Sequence, residues 1–499
     1  MRGHSPEPWT LPRVAEWLAL VGIIGVAAFL RVRRMSLLDI FEDGYHHWWI
    51  GGYWAETGLY LDPFSKMTQG NWLPGYYPIV SAFYSVSGRE AMIALRSVSL
   101  IASLTTIFFI YLVARKHGTI SALSAAFFQG LVIEDALIGS MATPESLVAL
   151  LFVVVVYLLW HCELGTERTR STLAATLLLV ASTLRYEVWV AAVLIPIYGW
   201  LFARPRFPSL LLVSLPSLAF MALWTAALSP SGFLPQIVFG QTAREAGNEI
   251  SLGVIADTPY GRLWGFWVKD YAAGLFPLYF LGPAYMIVRL RREFTTILAL
   301  VLFAAVSVIV ATGLGTGSYR YLVIVVPFLS LAAGRAVGRL ISRLAQRWPR
   351  PGMTAVGAVL ALLVVACVAN TIWITPSLDG LGTLHAPLAR AGIWISDQPW
   401  PEGRNLLSDS PVATYYSKVD PAHAWSSFWL PDNRTEALLV LKASYAYVLF
   451  VNVTYYPLTK LFPELETGSS TTDFLLVYDP NSWELQYGAK QVFVYQVIQ

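Results

Sequence analysis

Four ionisable side chains crowd together near the start of the chain: Glu42, Asp43, His46 and His47, in FEDGYHHWW. Adjacent carboxylates in one cramped site resist joint ionisation, so one of the pair is expected to keep its proton to higher pH. The same two residues also suit the first turn of a helix, where a carboxylate satisfies free N–H groups, and the two roles can coexist. Neighbouring histidines diverge by about 100° around a helix axis, so His46 and His47 do not easily serve one metal ion. Hydrogen bonding to a bound molecule is the preferred reading for both. No metal site is assigned, although a divalent cation held with Glu42 or Asp43 stays an alternative.

The sequence around this cluster belongs to a membrane. Of 499 residues, 56% are hydrophobic and 13% charged, against roughly 25% charged in soluble domains. A formal charge of +3 gives no reason to expect a nucleic-acid partner. Cys162 and Cys367 fall in or beside apolar segments, which excludes a disulfide framework and a cysteine-rich metal site. A spanning helix needs roughly 20 mostly apolar residues. Segments of that kind are expected near 15–34, 91–114, 119–139, 145–162, 171–185, 188–203, 209–229, 272–290, 295–314, 319–338 and 352–374, about eleven in all. The first is read as a retained anchor, because RVRR at 31–34 follows its apolar run where a small-residue cleavage site would lie.

Orientation follows from the short loops. With the N-terminus in the cytoplasm, ARKHG, ELGTERTR, ARPRF, RLRREF and the arginine-rich stretch 334–352 all fall inside, as the positive-inside rule requires. The C-terminus then lies outside. RVRR is the exception, at the outer end of the first helix; it either snorkels at the interface or meets an anionic lipid headgroup. The run 171–202 is broken only by Arg185, Tyr186 and Glu187, and reads as two short helices joined by a tight outer turn. Arg185 and Glu187 either pair with one another or serve a site.

Three outward regions are long enough to build a site. Within 35–90, EDGYHHWWIGGYWAETG reads as an amphipathic helix at the interface, and GNWLPGYY as a break before a second helical piece. The loop 230–271 mixes polar residues with Trp264 and Trp267, as a mobile cover over a substrate would. The tail 375–499 has soluble composition, with strand-like runs NLLSDSPVATYYS, AYVLFVNVT, FLLVYDP and QVFVYQVIQ. The expected protein is mainly α: a multi-spanning membrane domain over 1–374 and a small extracytoplasmic α/β domain over 375–499.

The acidic motif in the first outer loop, WLPGYYP before the second span, the TPES turn, the RYE turn and SYRYLVIVVPFLSLAAG together resemble the GT-C superfamily of membrane glycosyltransferases. The branch they are most similar to holds the protein O-mannosyltransferases and aminoarabinose transferases. The resemblance implies a GT-C fold over most of 15–374. It also implies transfer of a sugar, mannose by default, from a polyprenyl or dolichyl phosphate carrier, with inversion, to a protein, glycan or lipid acceptor outside the membrane. Such a transfer needs a carboxylate base at the acceptor hydroxyl and cations at the leaving phosphate. By the resemblance Asp43 is the base, with Glu42 the alternative one residue away. Arg320, between Tyr319 and Tyr321, matches a position that binds the carrier phosphate, and Arg185 is a second candidate. Arg96 is a third, for which an interhelical ion pair is an equal reading. Tyr45, His46, His47, Asp135, Glu145 and Glu187 are candidates for the sugar or acceptor. Glu145 also suits the first turn of its helix on electrostatic grounds alone. No cofactor is expected, and the expected location is the plasma membrane of a prokaryote. The alternatives are an oligosaccharyltransferase-like enzyme with a pyrophosphate-linked donor, and a flippase, against which stands the absence of internal symmetry between the halves.

Overall fold

Long aliphatic runs become helices here because a helix satisfies its own backbone N–H and C=O groups, as hydrocarbon demands. In the computed structural model, the structure describes residues 12–39, 42–64, 73–228, 278–290, 292–312, 324–347, 385–452, 456–479 and 491–498, with isolated positions 263, 267, 322, 365 and 369. The helices in chain order are α1 (Arg13–Met35), α2 (Asp43–Thr57), α3 (Tyr77–Ser87), α4 (Ala91–Arg115), α5 (Thr119–Leu131), α6 (Ile133–Ile138) and α7 (Glu145–Trp160). There follow α8 (Glu167–Leu184), α9 (Glu187–Phe202), α10 (Phe207–Leu228), α11 (Leu278–Arg289), α12 (Phe294–Thr312) and α13 (Val326–Arg347). Arg13–Met35, Pro74–Arg115 and Arg204–Ala227 are long and apolar enough to cross a membrane, and shorter apolar helices accompany them. The chain is a multi-pass membrane protein. Helices occupy all or part of every expected segment from 15–34 to 319–338. The segment 352–374, apart from 365 and 369, and the loop 230–271, apart from 263 and 267, lie outside the described residues.

Two expectations change. The segment 119–139 is two helices, broken at Val132, whose backbone is extended (ψ 124°). The break releases the Gly130 carbonyl, and the Arg31 guanidinium takes it at 3.0 Å. Nor does α2 lie amphipathic at an interface: every residue from Gly44 to Tyr53 is buried. A helix with aromatic and apolar side chains on all sides must be covered on all sides. One side of α2 packs on α3 and the other on the C-terminal region.

That region holds α14 (Ala386–Ser396), α15 (Pro411–Tyr416), α16 (Arg434–Ser444) and α17 (Pro457–Leu461) around a five-stranded sheet. The strands are β1 (Asn405–Ser408), β2 (Ala424–Trp425), β3 (Tyr445–Val451), β4 (Phe474–Tyr478) and β5 (Val492–Val497). Their order is β2-β1-β3-β5-β4. β1 runs parallel to β2 and β3, and β5 runs antiparallel to β3 and β4. Side chains alternate across the sheet with period two. Leu407, Val448, Phe450 and Tyr495 build a separate outer core with Phe462 and Phe474. Leu406, Leu449, Val451 and Val494 face the other way, into one core that continues through α2 and the membrane helices. The sheet is therefore a cap fused to the bundle by hydrophobic packing.

Polar ties fix the cap over α2. Arg89, between α3 and α4, donates to the carbonyls of Tyr415 and Val419, each at 3.0 Å. Trp49 Nε1 donates to the Pro421 carbonyl at 3.3 Å, and the Ala422 amide donates to Glu56 Oε2 at 2.8 Å.

Candidate active site under the cap

The acidic motif opens α2. Glu42 is the N-cap residue but makes no side-chain capping bond to the free N–H groups, and Asp43 stands in the first turn, where the partial positive charge of the helix start favours carboxylates. Both are half-buried. Glu42 Oε1 lies 3.3 Å from Nδ1 of His385, the residue that leads into α14, so the cap reaches the motif directly.

Asp39 approaches from below. It is buried, and its Oδ1 accepts from Arg96 Nη2 at 2.9 Å. Arg96 also donates to the Met35 carbonyl at 2.5 Å and to the Tyr45 hydroxyl at 3.4 Å. Burial pushes the Asp39 carboxyl up despite the guanidinium beside it. The approach is close: a Cβ at Gly44 would sit 2.8 Å from Asp39 Oδ2, so that carboxylate would have to shift. Glycine is required at 75, in the WLPGYYP stretch, because a Cβ would lie 2.2 Å from Oγ1 and 2.7 Å from the carbonyl oxygen of Thr183, at the end of α8. That contact lays Tyr76 and Tyr77 against His47, with ring centroids at 5.1 and 5.6 Å. Enclosure among these rings holds the His47 imidazole well below its usual pKa, with the His46 and Arg185 charges adding to the effect.

His46 points elsewhere. Its Nε2 meets Asp62 Oδ1 at 3.0 Å, and its ring packs edge-on to Phe64. The two histidines thus diverge, as helix geometry requires. Among the described residues no group of three His, Cys, Asp or Glu side chains could hold a metal ion.

The RYE turn lies on the His47 side. Arg185 meets Glu187 twice, through Nη2 at 2.5 Å and Nε at 3.1 Å, and meets Glu145 Oε1 at 3.0 Å. Three of the expected site residues therefore engage one another, and Arg185 and Glu187 do pair. Arg96 forms an ion pair, though with Asp39 in the segment after α1 rather than with another helix. Asp135 sits in a closed arrangement: Oδ2 accepts from Arg31 Nη2 at 2.6 Å and from Ser103 Oγ at 2.7 Å. Arg31 is fully buried and meets neither solvent nor a headgroup. Glu42 and Asp43 stand at the start of α2, from which Tyr45 turns toward Arg96 and Tyr415 while His47 turns toward Tyr76 and Tyr77, within reach of the Arg185 charge. The structure directs His46 and Asp135 to other partners. Tyr319, Arg320 and Tyr321 lie outside the described residues.

Sequence reasoning missed Asp39, Asp62, His385 and the pairing of Arg31. Asp62 carried a signal, because Asp-Pro opens a turn, and its Oδ1 does accept the Phe64 amide at 2.8 Å. Asp39 stands four residues before Asp43 and was equally visible. His385 carried none, since it lies in a tail of ordinary composition.

No family model matches the sequence, and no curated protein matches it significantly. Solved structures do. The chain is similar to ArnT from Cupriavidus metallidurans in the apo state, at 13% identity and TM-score 0.63, covering 97% of this chain and 98% of that one. It is similar to the same protein bound to undecaprenyl phosphate, at 13% identity and TM-score 0.60, covering 96% and 97%. The archaeal oligosaccharyltransferase AglB from Archaeoglobus fulgidus, in complex with an inhibitory peptide and a dolichol-phosphate, matches at 13% identity and TM-score 0.53, covering 86% of this chain and 69% of that one. At such identities the likeness establishes the fold, which is that of the GT-C structures.

Proposed function

We propose that the protein is a membrane glycosyltransferase that moves a sugar from a polyprenyl phosphate carrier to an acceptor hydroxyl at the outer face. The observation that carries this reading is a half-buried carboxylate pair, Glu42 and Asp43, at a helix start under a tightly held cap. The likeness to a structure bound to undecaprenyl phosphate supports the carrier class. Asp43 takes the acceptor's hydroxyl proton as that oxygen bonds to the anomeric carbon. The bond from carbon to phosphate oxygen breaks with inversion, and the carrier phosphate leaves with the electron pair. Arg320, flanked by Tyr319 and Tyr321, is our candidate for the leaving phosphate, because a guanidinium meets such oxygens in a bidentate way. Arg185 is less suited, since Glu145 and Glu187 already neutralise it; the three serve instead as a rigid wall beside His47.

The sugar is proposed as mannose on resemblance alone, and the reaction as independent of metal. The acceptor is a protein or a lipid-linked glycan. We place the catalytic membrane domain in 1–374 and the extracytoplasmic domain in 375–499, with a cytoplasmic N-terminus in a prokaryotic plasma membrane. A second reading, a pyrophosphate-linked donor, has support from the likeness to the archaeal oligosaccharyltransferase. Purified protein in nanodiscs with radiolabelled polyprenyl phosphomannose tests the class. Release of free carrier phosphate, unaffected by chelator, is expected. Movement of intact donor between leaflets without release would identify a flippase, and loss of release on chelation would favour the second reading.

A further inference from the structure

Away from the acidic motif, the cap carries a cavity of about 290 Å³ lined by residues of 395–400 and 417–423. Its size falls at the lower end of small-molecule sites, roughly 300–1,000 Å³. Its lining does not suit a lipid chain: Gln398, Lys418, Asp420 and His423 contribute polar groups, and Trp400 contributes an indole. The indole is fixed in place, because its Nε1 donates to the Arg404 carbonyl at 3.0 Å and its ring packs on Tyr447. Lys418 adopts a left-handed backbone (φ 59°), the only non-glycine residue to do so among those described. A lysine in that region is strained, and strain of this kind clusters at functional sites. It is held there by Ser417, whose hydroxyl accepts the Val419 amide at 3.2 Å.

The cavity wall is also the surface that grips α2. Arg89 holds the Val419 carbonyl, Trp49 holds the carbonyl of Pro421, and Glu56 accepts the Ala422 amide. A molecule seated in the cavity is therefore one layer of chain away from the helix that begins with the acidic motif.

We infer that this cavity is a carbohydrate subsite that takes a sugar ring of the acceptor glycan, outside the reaction centre. An indole supplies an apolar platform for the C–H face of a pyranose. Asp420 accepts hydrogen bonds from hydroxyls, while Lys418 and Gln398 donate to ring and hydroxyl oxygens. A lining with charges of both signs suits a neutral sugar better than an anion. The inference rests on the glycosyltransferase reading for its ligand class, but its test requires no turnover.

Saturation-transfer NMR on the full chain in nanodiscs, without donor, reads it. The probes are mannobiose, cellobiose and chitobiose at millimolar concentration. Transfer to pyranose C–H protons of at least one is expected, falling fivefold or more in Trp400→Ala. Lys418→Gly keeps the left-handed backbone while removing the amine, and is expected to weaken binding severalfold with thermal stability equal to or above the parent. No transfer from any probe in the parent protein overturns the subsite, as does transfer that both variants leave unchanged. Saccharide binding by a protein that never releases carrier phosphate would retain the subsite and remove the transferase reading; release without saccharide binding would do the reverse.

Discussion

The chain contains the dipeptide Glu-Asp twice, at 42–43 and at 134–135, each time at the start of a helix. The two copies have opposite fates. Asp135 is closed in by Arg31 and Ser103, and both Glu134 and Asp135 are buried. Glu42 and Asp43 are only partly buried, and the first of them is reached by a histidine from the cap. One pair is built into the bundle as structure; the other sits at the seam between the bundle and the cap. The difference lies in the surroundings: a broken helix and an upstream arginine in one case, a loop roofed by a distant domain in the other.

The contrast predicts separable failures. Arg31→Met leaves Asp135 buried without its cation and should lower stability by about 3–5 kcal/mol; thermal unfolding in detergent checks this. A variant with unchanged stability would mean that the 134–135 pair is not the structural one. Arg89→Ala removes two charge-assisted bonds that hold the cap. It should cost about 1.5–3 kcal/mol, read as faster hydrogen exchange across 415–423 and not in α4 or α5.

His47 offers a pH test. Its folded pKa is depressed below the ordinary 6.5, so the unfolded chain binds a proton that the folded chain refuses. Stability should be full above pH 6.5 and fall as pH drops below it, at about 1.4 kcal/mol per pH unit for one proton. His47→Gln should remove that part of the acid slope. The smallest effect is expected at the rim of the motif, where His385→Gln disturbs a partly exposed contact with Glu42 worth about 0–1 kcal/mol. A much larger loss there would make Glu42 as structural as Asp135.

Most of the membrane half was legible, because aliphatic runs and positive loops report directly on helices and their order. The helix pair on either side of Arg185 was readable from the charge interruption alone. Less was legible around α2 and the cap. The all-round aromatic character of 44–53 already spoke against an amphipathic helix, but its cover lies more than 350 residues away in the chain (Trp49 to Pro421). Local pattern does not encode such a contact. The bond from Arg31 to Asp135 was hidden for a similar reason: it depends on a break at Val132, a residue with no breaker signature. Within the site, side-chain types were readable while their partners were not, as the diverging His46 and His47 illustrate.

The central claim, that the 42–43 pair does chemistry, is tested most directly by measuring carrier-phosphate release by the parent protein, Asp43→Asn and Glu42→Gln, with donor binding and thermal stability recorded for each. The account predicts that Asp43→Asn loses about 10²–10⁴-fold in turnover while binding donor and unfolding at the parent temperature. Turnover within a few-fold of the parent in both variants would contradict it.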